Sequence, residues 1–285
     1  MNKSEGDIMS KLYVVGTPIG NLSDMTPRAI GILNSVDFIA AEDTRVTLKL
    51  LTHFDIHKPL VSYYEHNLRE KGEEIINRIL AGETCAIVTD AGMPCISDPG
   101  EDLVKLCAEH GIEVNVVPSP TAAMSALAIS GLSTSRFAFE GFLSVTKKQR
   151  NAHLEEVKDL KHTLIFYEAP HKLKNTLNDL LNVLGNRRIS ICREMTKIHE
   201  EVLRGTISEM IEYYENNTPK GEFVLVVEGN VKVPEERYVT EEAIEYARKL
   251  IVDGAKTSDA CKEAAKKFGF TKSEIYSGVI SENRK

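Results

Sequence analysis

The 285-residue chain has a formal charge of −7, with 42% hydrophobic and 27% charged residues. That balance supplies a sizeable core and argues against a disordered chain, and against a protein whose whole surface grips nucleic acid; a local basic patch on an acidic body stays open. The five cysteines, odd in number and without a C-x-x-C pair, exclude a disulfide framework and a cysteine zinc site, and read as the reduced thiols of a cytoplasmic protein.

Residues 1–10 are polar and lack the apolar run of a signal peptide, so a flexible tail is expected there. Short apolar runs then alternate with amphipathic stretches. Strands are predicted at 12–15, 38–41, 60–64, 85–89 and 114–117, and helices at 27–34, 45–53, 71–81, 100–109 and 121–129. Unbroken apolar strands separated by helices imply a mostly parallel sheet covered on both faces. The longest low-polarity stretch, 122–132, is too short to span a bilayer, so no membrane association is expected. A Gly/Ser/Thr-rich stretch at 131–135 reads as a linker. Beyond it, strands are predicted at 137–142, 163–167, 188–193, 201–206 and 222–228, with helices at 148–160, 172–184 and 208–216. Two of these strands adjoin closely enough to form a hairpin in a mixed sheet. The remainder reads as helices at 241–252, 258–268 and 273–281. The expected organisation is α/β, with an N-terminal domain at 11–132, a second α/β domain at 133–233 and a small helical region at 234–285.

In open α/β sheets, ligands bind beyond the carboxyl ends of the strands. There the first strand runs into Gly16-Thr17-Pro18-Ile19-Gly20-Asn21, the fourth into the long turn 90–100, and the fifth into Pro118-Ser119-Pro120-Thr121-Ala122. Thr26-Pro27, Asp98-Pro99 and Ser119-Pro120 read as N-caps followed by a first-turn proline. The 90–100 turn is longer than a helix start requires, and glycines at 16, 20, 92 and 100 would let backbone approach a ligand closely. The first loop is G-x-x-x-G, neither a dinucleotide fingerprint nor a phosphate-cradling P-loop. S-adenosylmethionine, which asks for backbone hydrogen bonds and small residues, fits such turns better. His53 and His57 have metal-like spacing but no adjacent Glu, so no metal is expected.

These turns stand in one order with Ala41-Glu42-Asp43-Thr44-Arg45, Glu140-Gly141-Phe142-Leu143, Phe166-Tyr167-Glu168-Ala169-Pro170-His171, Arg193-Glu194-Met195-Thr196-Lys197 and Gly221-Glu222. Over about 11–229 the series closely resembles the ribosomal-RNA-modifying branch of the tetrapyrrole methylase superfamily. Met93, Cys95 and Met195 depart from its pattern and read as packing changes. The resemblance implies two α/β domains with S-adenosylmethionine in the cleft between them, usually in a homodimer. It also implies 2′-O-methylation of a cytidine in the decoding region of small-subunit (16S) rRNA. Carried over, cofactor contacts would come from Pro18, Ile19, Met93, Ile96, Thr121, Ala122, Glu168 and Ala169, with Asp90 added from the glycine-bearing turn.

A sulfonium methyl is already electrophilic, so the protein has mainly to align the attacking oxygen. A general base, if one acts, must lie within hydrogen-bond reach. The carboxylates near the expected cleft are Glu42, Asp43, Asp90, Asp98, Glu168 and Glu194. Asp98 reads as a cap and Glu42 as a partner of Arg45, which leaves Glu168 and Asp43 as catalytic candidates; positioning without a base stays open. RNA phosphates would be met by Arg28, Arg45, Arg193, Lys197 and Arg204, and by Lys147, Lys148 and Arg150 at a loop. Lys262, Lys266, Lys267 and Lys272 of the tail either touch rRNA or form the wet face of a helical bundle. The rival readings are a tetrapyrrole C-methyltransferase or a protein-modifying methyltransferase on the same fold, a non-catalytic RNA-binding module, and a dinucleotide-dependent oxidoreductase. The 166–171 and 193–197 segments speak against the first two, S-adenosylmethionine binding would exclude the third, and the missing G-x-G-x-x-G weakens the last.

Overall fold

A computed structural model describes residues 10–98, 100–231 and 241–281. The tail expected at 1–10 lies, apart from Ser10, outside the described residues, as does the boundary expected near 233. The chain forms two compact units, Met1–Val231 and Lys232–Lys285.

The larger unit begins with β1 (Lys11–Val15), α1 (Pro27–Ser35), β2 (Phe38–Ala41), α2 (Thr44–His53), β3 (Leu60–Ser62), α3 (Leu68–Leu80), β4 (Cys85–Val88), α4 (Gly100–Glu109) and β5 (Glu113–Val117). The strands make one parallel sheet in the order β3-β2-β4-β1-β5. Alternation of side chains along each strand divides its core in two. Leu12 and Val14 of β1 pack with Ile75, Ile79 and Leu103 under α3 and α4, while Val15 packs with Ala29, Leu33 and Leu51 under α1 and α2. β2 and β4 are buried along their whole length. Each buried aliphatic side chain contributes about 1.5–3 kcal/mol, which fixes the register of these central strands. α1 and α4 follow neighbouring strands yet lie on opposite faces. The helices after β1 and β4 thus leave to opposite faces, and the carboxyl ends of these strands are where an open α/β sheet forms its ligand crevice.

Local chemistry sets the element ends. Thr26 caps α1 by accepting from the Ala29 amide at 3.1 Å, with Pro27 in the first turn, as the sequence suggested. β3 stops at Ser62, two residues short of the expected end, and α3 starts three residues early. Asn67 explains both: its side chain accepts from the Tyr64 amide at 2.9 Å and donates to the Ser62 carbonyl at 3.1 Å, closing a turn that launches α3.

α5 (Ala122–Ile129) leads to β6 (Phe137–Phe142), α6 (Lys147–Val157), β7 (Thr163–Glu168), α7 (Leu173–Leu184), β8 (Arg188–Arg193), β9 (Glu201–Thr206), α8 (Ile207–Asn216) and β10 (Phe223–Val227). The second sheet runs β6-β7-β10-β8-β9 and is mixed: β6 and β7 are parallel, and the other pairs, including the expected β8–β9 hairpin, are antiparallel. α6, α7 and α8 cover one face. The other face, with Ile165, Cys192, Val224 and Val226, receives Ala123, Ala126 and Leu127 of α5. α5 is thus contiguous in sequence with the first sheet but packed on the second.

The smaller unit holds α9 (Glu241–Val252), α10 (Thr257–Phe268) and α11 (Lys272–Ser281) around Ala243, Ala247, Cys261, Ala264, Ala265, Ile275 and Val279. Gly269, at φ +76°, ends α10 in the left-handed conformation. Among the described residues no helix is long and apolar enough to cross a membrane.

Candidate active site

Three strand ends of the first sheet are laced together by backbone. The Gly16 amide donates to the Val117 carbonyl at 3.0 Å, and Thr17 and Gly92 exchange hydrogen bonds of 2.9 and 3.2 Å. The Ser119 hydroxyl donates to the Thr17 carbonyl at 2.6 Å, and the buried Thr17 hydroxyl donates to Thr89 O at 3.3 Å. A Cβ on Gly16 would stand 2.2 Å from Ser119 Cβ and 2.7 Å from Met93 Sδ, so only glycine fits there. Gly92, at φ +84°, faces Ile19 Cγ2, which a Cβ would approach to 3.3 Å. The crevice is therefore walled by main chain and small groups. It can take a ligand recognised through backbone hydrogen bonds.

The caps differ in one respect from expectation. Asp98 holds its turn by accepting from the Cys95 amide at 2.9 Å and from Gly100 N at 2.9 Å, close to the predicted role. Ser119 instead ties strand ends, and Thr121 caps α5 by accepting from Met124 N at 3.3 Å. Met93 lies against Gly16, Cys95 is half-buried and Met195 is buried beside α5, so all three departures occupy packed positions.

Pro18, Ile19, Asp90, Met93 and Thr121 come together at this end of the sheet, with Pro18 buried and Asp90 open to solvent; Ile96 on the same turn is 63% exposed. Ala122 opens α5, and the next amide, Ala123 N, donates to the Tyr167 hydroxyl at 3.2 Å. Tyr167 packs edge-on to Phe139 and Phe142, and burial raises its pKa, so it stays protonated. It was absent from the predicted site residues, although it sits inside the 166–171 segment that marked this strand end. Glu168 is buried: its carboxylate accepts from its neighbour Ala169 N at 2.8 Å and from the Thr176 hydroxyl at 2.5 Å. Those bonds commit it to joining β7 to α7.

The carboxylates at the other strand ends are also engaged. Arg45 donates side-chain and backbone hydrogen bonds to Asp43, at 2.7 Å for the closest, and holds that carboxyl at about 2. Glu42 accepts from the Thr89 hydroxyl at 2.7 Å, so the Arg45 partner is Asp43 and not Glu42 as the spacing suggested. Capping turns Asp43 toward the start of α2, where Arg45 lies. Asp90 is different: burial of its carboxyl, and then the charge of Glu42, push it above its ordinary value.

Most of the predicted RNA-contacting cations are used internally. Arg28 donates to Val116 O at 3.1 Å, and Arg193 to His199 O at 3.3 Å beside Glu201. Arg204 reaches Ser130 O at 3.2 Å and Ile129 O at 2.5 Å, capping the carboxyl end of α5. Lys197 lies between Glu194 and Glu222, 2.9 Å from each. Arg150 is not a surface cation: it is buried on Asp179 at 2.6 Å and donates to Ser144 O and Val145 O at 3.0 Å. Arg45 keeps an 87% exposed side chain, and Lys147 and Lys148 are exposed. Among the described residues no group of acidic, His or Cys side chains could hold a metal.

Residues 11–211 match the Tetrapyrrole (Corrin/Porphyrin) Methylases. The chain belongs to this family. Its methylases take their methyl group from S-adenosylmethionine. A protein of Halalkalibacterium halodurans named Ribosomal RNA small subunit methyltransferase I is 50% identical over 273 residues, covering 95% of this methylase and 94% of the relative. One of the same name from Thermotoga maritima is 48% identical over 221 residues, which is 78% of this chain but 99% of that one. The crystal structure of uroporphyrin-III-C-methyltransferase from Thermus thermophilus shares the fold, with a TM-score of 0.55 and 18% identity over 76% of this chain and 94% of that one.

Proposed function

We propose that this chain methylates small-subunit ribosomal RNA, transferring the methyl group of S-adenosylmethionine to the 2′-hydroxyl of a cytidine ribose in the decoding region. The observation that carries the reading is the likeness to Ribosomal RNA small subunit methyltransferase I at 50% identity over nearly the whole of both chains. The tetrapyrrole-directed rival has the family match over 11–211 and a shared fold at 18% identity behind it, but the likeness at 50% is to a protein named for ribosomal RNA.

The crevice suits the cofactor. Gly16 and Gly92 let the loops after β1, β4 and β5 pack closely together, and Pro18, Ile19, Met93, Thr121, Ala122 and Ala169 offer main chain and small groups for a nucleoside and an amino-acid end. Ile96 would cover it from the turn. When bound, S-adenosylmethionine supplies an electrophilic methyl group on sulfur. The chain's residues then have to orient the ribose and receive one proton as the oxygen–methyl bond forms. Glu168 is occupied by Thr176 and Ala169 N, and Asp43 is too weak a base beside Arg45. Asp90, solvent-open and raised, is the carboxylate best suited to accept that proton. Of the cations singled out in the sequence, Arg45, Lys147 and Lys148 are exposed and not tied to backbone carbonyls, and so are offered to phosphates. Phe142 and Val145, 58% and 73% exposed at the β6 edge, suit contact with a second copy in a homodimer. An rRNA substrate puts the enzyme in the cytoplasm.

The test is transfer from labelled S-adenosylmethionine to small ribosomal subunits lacking the modification, with the product nucleoside identified. 2′-O-methylcytidine is the expected product. Cofactor binding without transfer to RNA would move the chain to the tetrapyrrole or protein-modifying branch.

A further inference from the structure

The smaller unit has its own core and takes no part in the crevice chemistry derived above. The Thermotoga maritima relative matches over 221 residues and is almost fully covered by them. That leaves 64 residues of this chain without a counterpart, as many as 1–10 and Lys232–Lys285 hold together. A protein bearing the same name is thus shorter by about the size of this unit and the tail together, which points to the unit as an accessory to the catalytic body.

Its build points to what it serves. α10 and α11 are joined by three residues beginning with left-handed Gly269, a helix–turn–helix connection. Glu274 accepts from the Thr271 amide at 2.6 Å and Thr271 Oγ1 accepts from Glu274 N at 3.3 Å, a capping box that fixes the start of α11. The buried side of α11 is Ile275 and Val279. Its outer side presents Lys272, Ser273, Tyr276, Ser277 and Ile280, all exposed: a cation, two hydroxyls, an aromatic ring and one aliphatic. Residues 232–285 carry 11 basic and 10 acidic residues, so the chain's charge of −7 rests on the rest of the molecule. Within 256–272 the lysines Lys256, Lys262, Lys266, Lys267 and Lys272 are interspersed with only two acids, Asp259 and Glu263. Lys267 lies over the Tyr246 ring, and Lys272 donates to Ser258 Oγ at 2.7 Å, joining the starts of α10 and α11. The lysine-rich α10, with the exposed hydroxyl and aromatic groups of α11 beside it, complements the phosphates and 2′-hydroxyls of an RNA helix.

We propose that the α10–α11 surface docks on a helical segment of the small-subunit rRNA and so sets the enzyme's affinity for its substrate. This rests on the rRNA methyltransferase reading. The test compares the full-length enzyme with Lys262→Glu/Lys266→Glu, with Lys262→Gln/Lys266→Gln and with Tyr276→Ala. Methylation is measured against unmodified subunits and against protein-free 16S rRNA at two salt concentrations. The charge reversal should raise KM about tenfold with kcat and S-adenosylmethionine affinity unchanged, and should lower the salt slope by roughly 1–2. Tyr276→Ala should raise KM with the slope kept. Equal KM values in all variants would overturn the proposal. So would an effect that vanishes on protein-free RNA, which would name a ribosomal protein as the partner, or one that follows a change in oligomeric state. If the parent enzyme methylates no RNA, the functional reading falls, and direct 16S rRNA binding by the same variants still tests the docking.

Discussion

Gly20 and Lys197 touch across the two halves of the larger unit: a Cβ on Gly20 would lie 2.7 Å from Lys197 Cγ and 2.9 Å from Thr196 Oγ1. The glycine loop after β1 is thereby seated on the tip of the β8–β9 hairpin. The hairpin tip is stiff, with Glu194 and Thr196 at positive φ and the Thr196 amide donating to Glu200 at 2.7 Å. Gly20 itself sits at φ +150°, where side chains are strained. Gly20→Val should therefore push the hairpin from the crevice. The expected cost is about 1–3 kcal/mol of stability. Cofactor affinity should fall together with methyl transfer, measured by calorimetry and a labelled-methyl assay. Wild-type affinity would mean that the contact serves packing alone.

Lys197 was expected to meet RNA, and its environment predicts a structural role instead. Burial works to raise the Glu194 carboxyl, but hydrogen bonds from Lys197 and from the Glu222 amide outweigh it and hold the carboxyl below its ordinary value. Lys197→Ala would leave Glu194 partly buried without its cation, at a cost of about 1–3 kcal/mol. A lowered carboxylate contributes stability above its unfolded-state value and loses it as pH falls through the folded one. The gap in Tm between parent and Lys197→Ala should thus be widest near neutrality and close on acidification through the carboxylate range. A pH-independent gap would sever Lys197 from Glu194.

The elements were legible because their signals are local. The runs 38–41 and 85–88 are apolar and bounded by polar turns, and Thr26-Pro27 announces α1 on its own. What α5 packs on was not legible. It is apolar nearly all round, so no stripe says which sheet it serves. The cations misled for a related reason. Arg204 finds its partners 74 and 75 positions away, and Arg150 finds Asp179 across 29, distances at which sequence spacing carries no information. Glu42 was read as the Arg45 partner and Asp43 as a catalytic candidate; capping geometry, which spacing does not reveal, gives Arg45 to Asp43 and leaves Glu42 to Thr89.

Arg150 offers a sharp stability test. Its guanidinium is 9% exposed, Asp179 is 6% exposed, and its remaining donors hold the Ser144–Val145 carbonyls ahead of α6. Removing one member of a buried pair strands the other, so Arg150→Ala should cost about 3–5 kcal/mol by denaturant unfolding. Arg150→Lys keeps the charge but cannot span Asp179 and two carbonyls, and should recover only part of the loss. Full recovery by lysine would show that charge alone matters there.

Asp90 joins stability to function with opposite signs. Partial burial of its carboxyl and the nearby Glu42 raise it, so ionising it costs more in the folded protein than in the unfolded chain. The penalty for ionising it grows as pH rises from its unfolded value through its raised folded value, and is fully present at neutrality. Asp90→Asn removes that penalty, and Tm at neutral pH should stay level or rise. If Asp90 receives the ribose proton, the same substitution should lower kcat by about 10²–10⁴. The acidic limb of the parent's pH–rate profile, placed above the ordinary value of an aspartate, should disappear with it. Cofactor affinity separates the two roles open to this residue: a proton acceptor loses kcat with S-adenosylmethionine binding kept, whereas a cofactor ligand loses binding first. A variant that is less stable and still active would remove Asp90 from the chemistry and leave it a part of the turn.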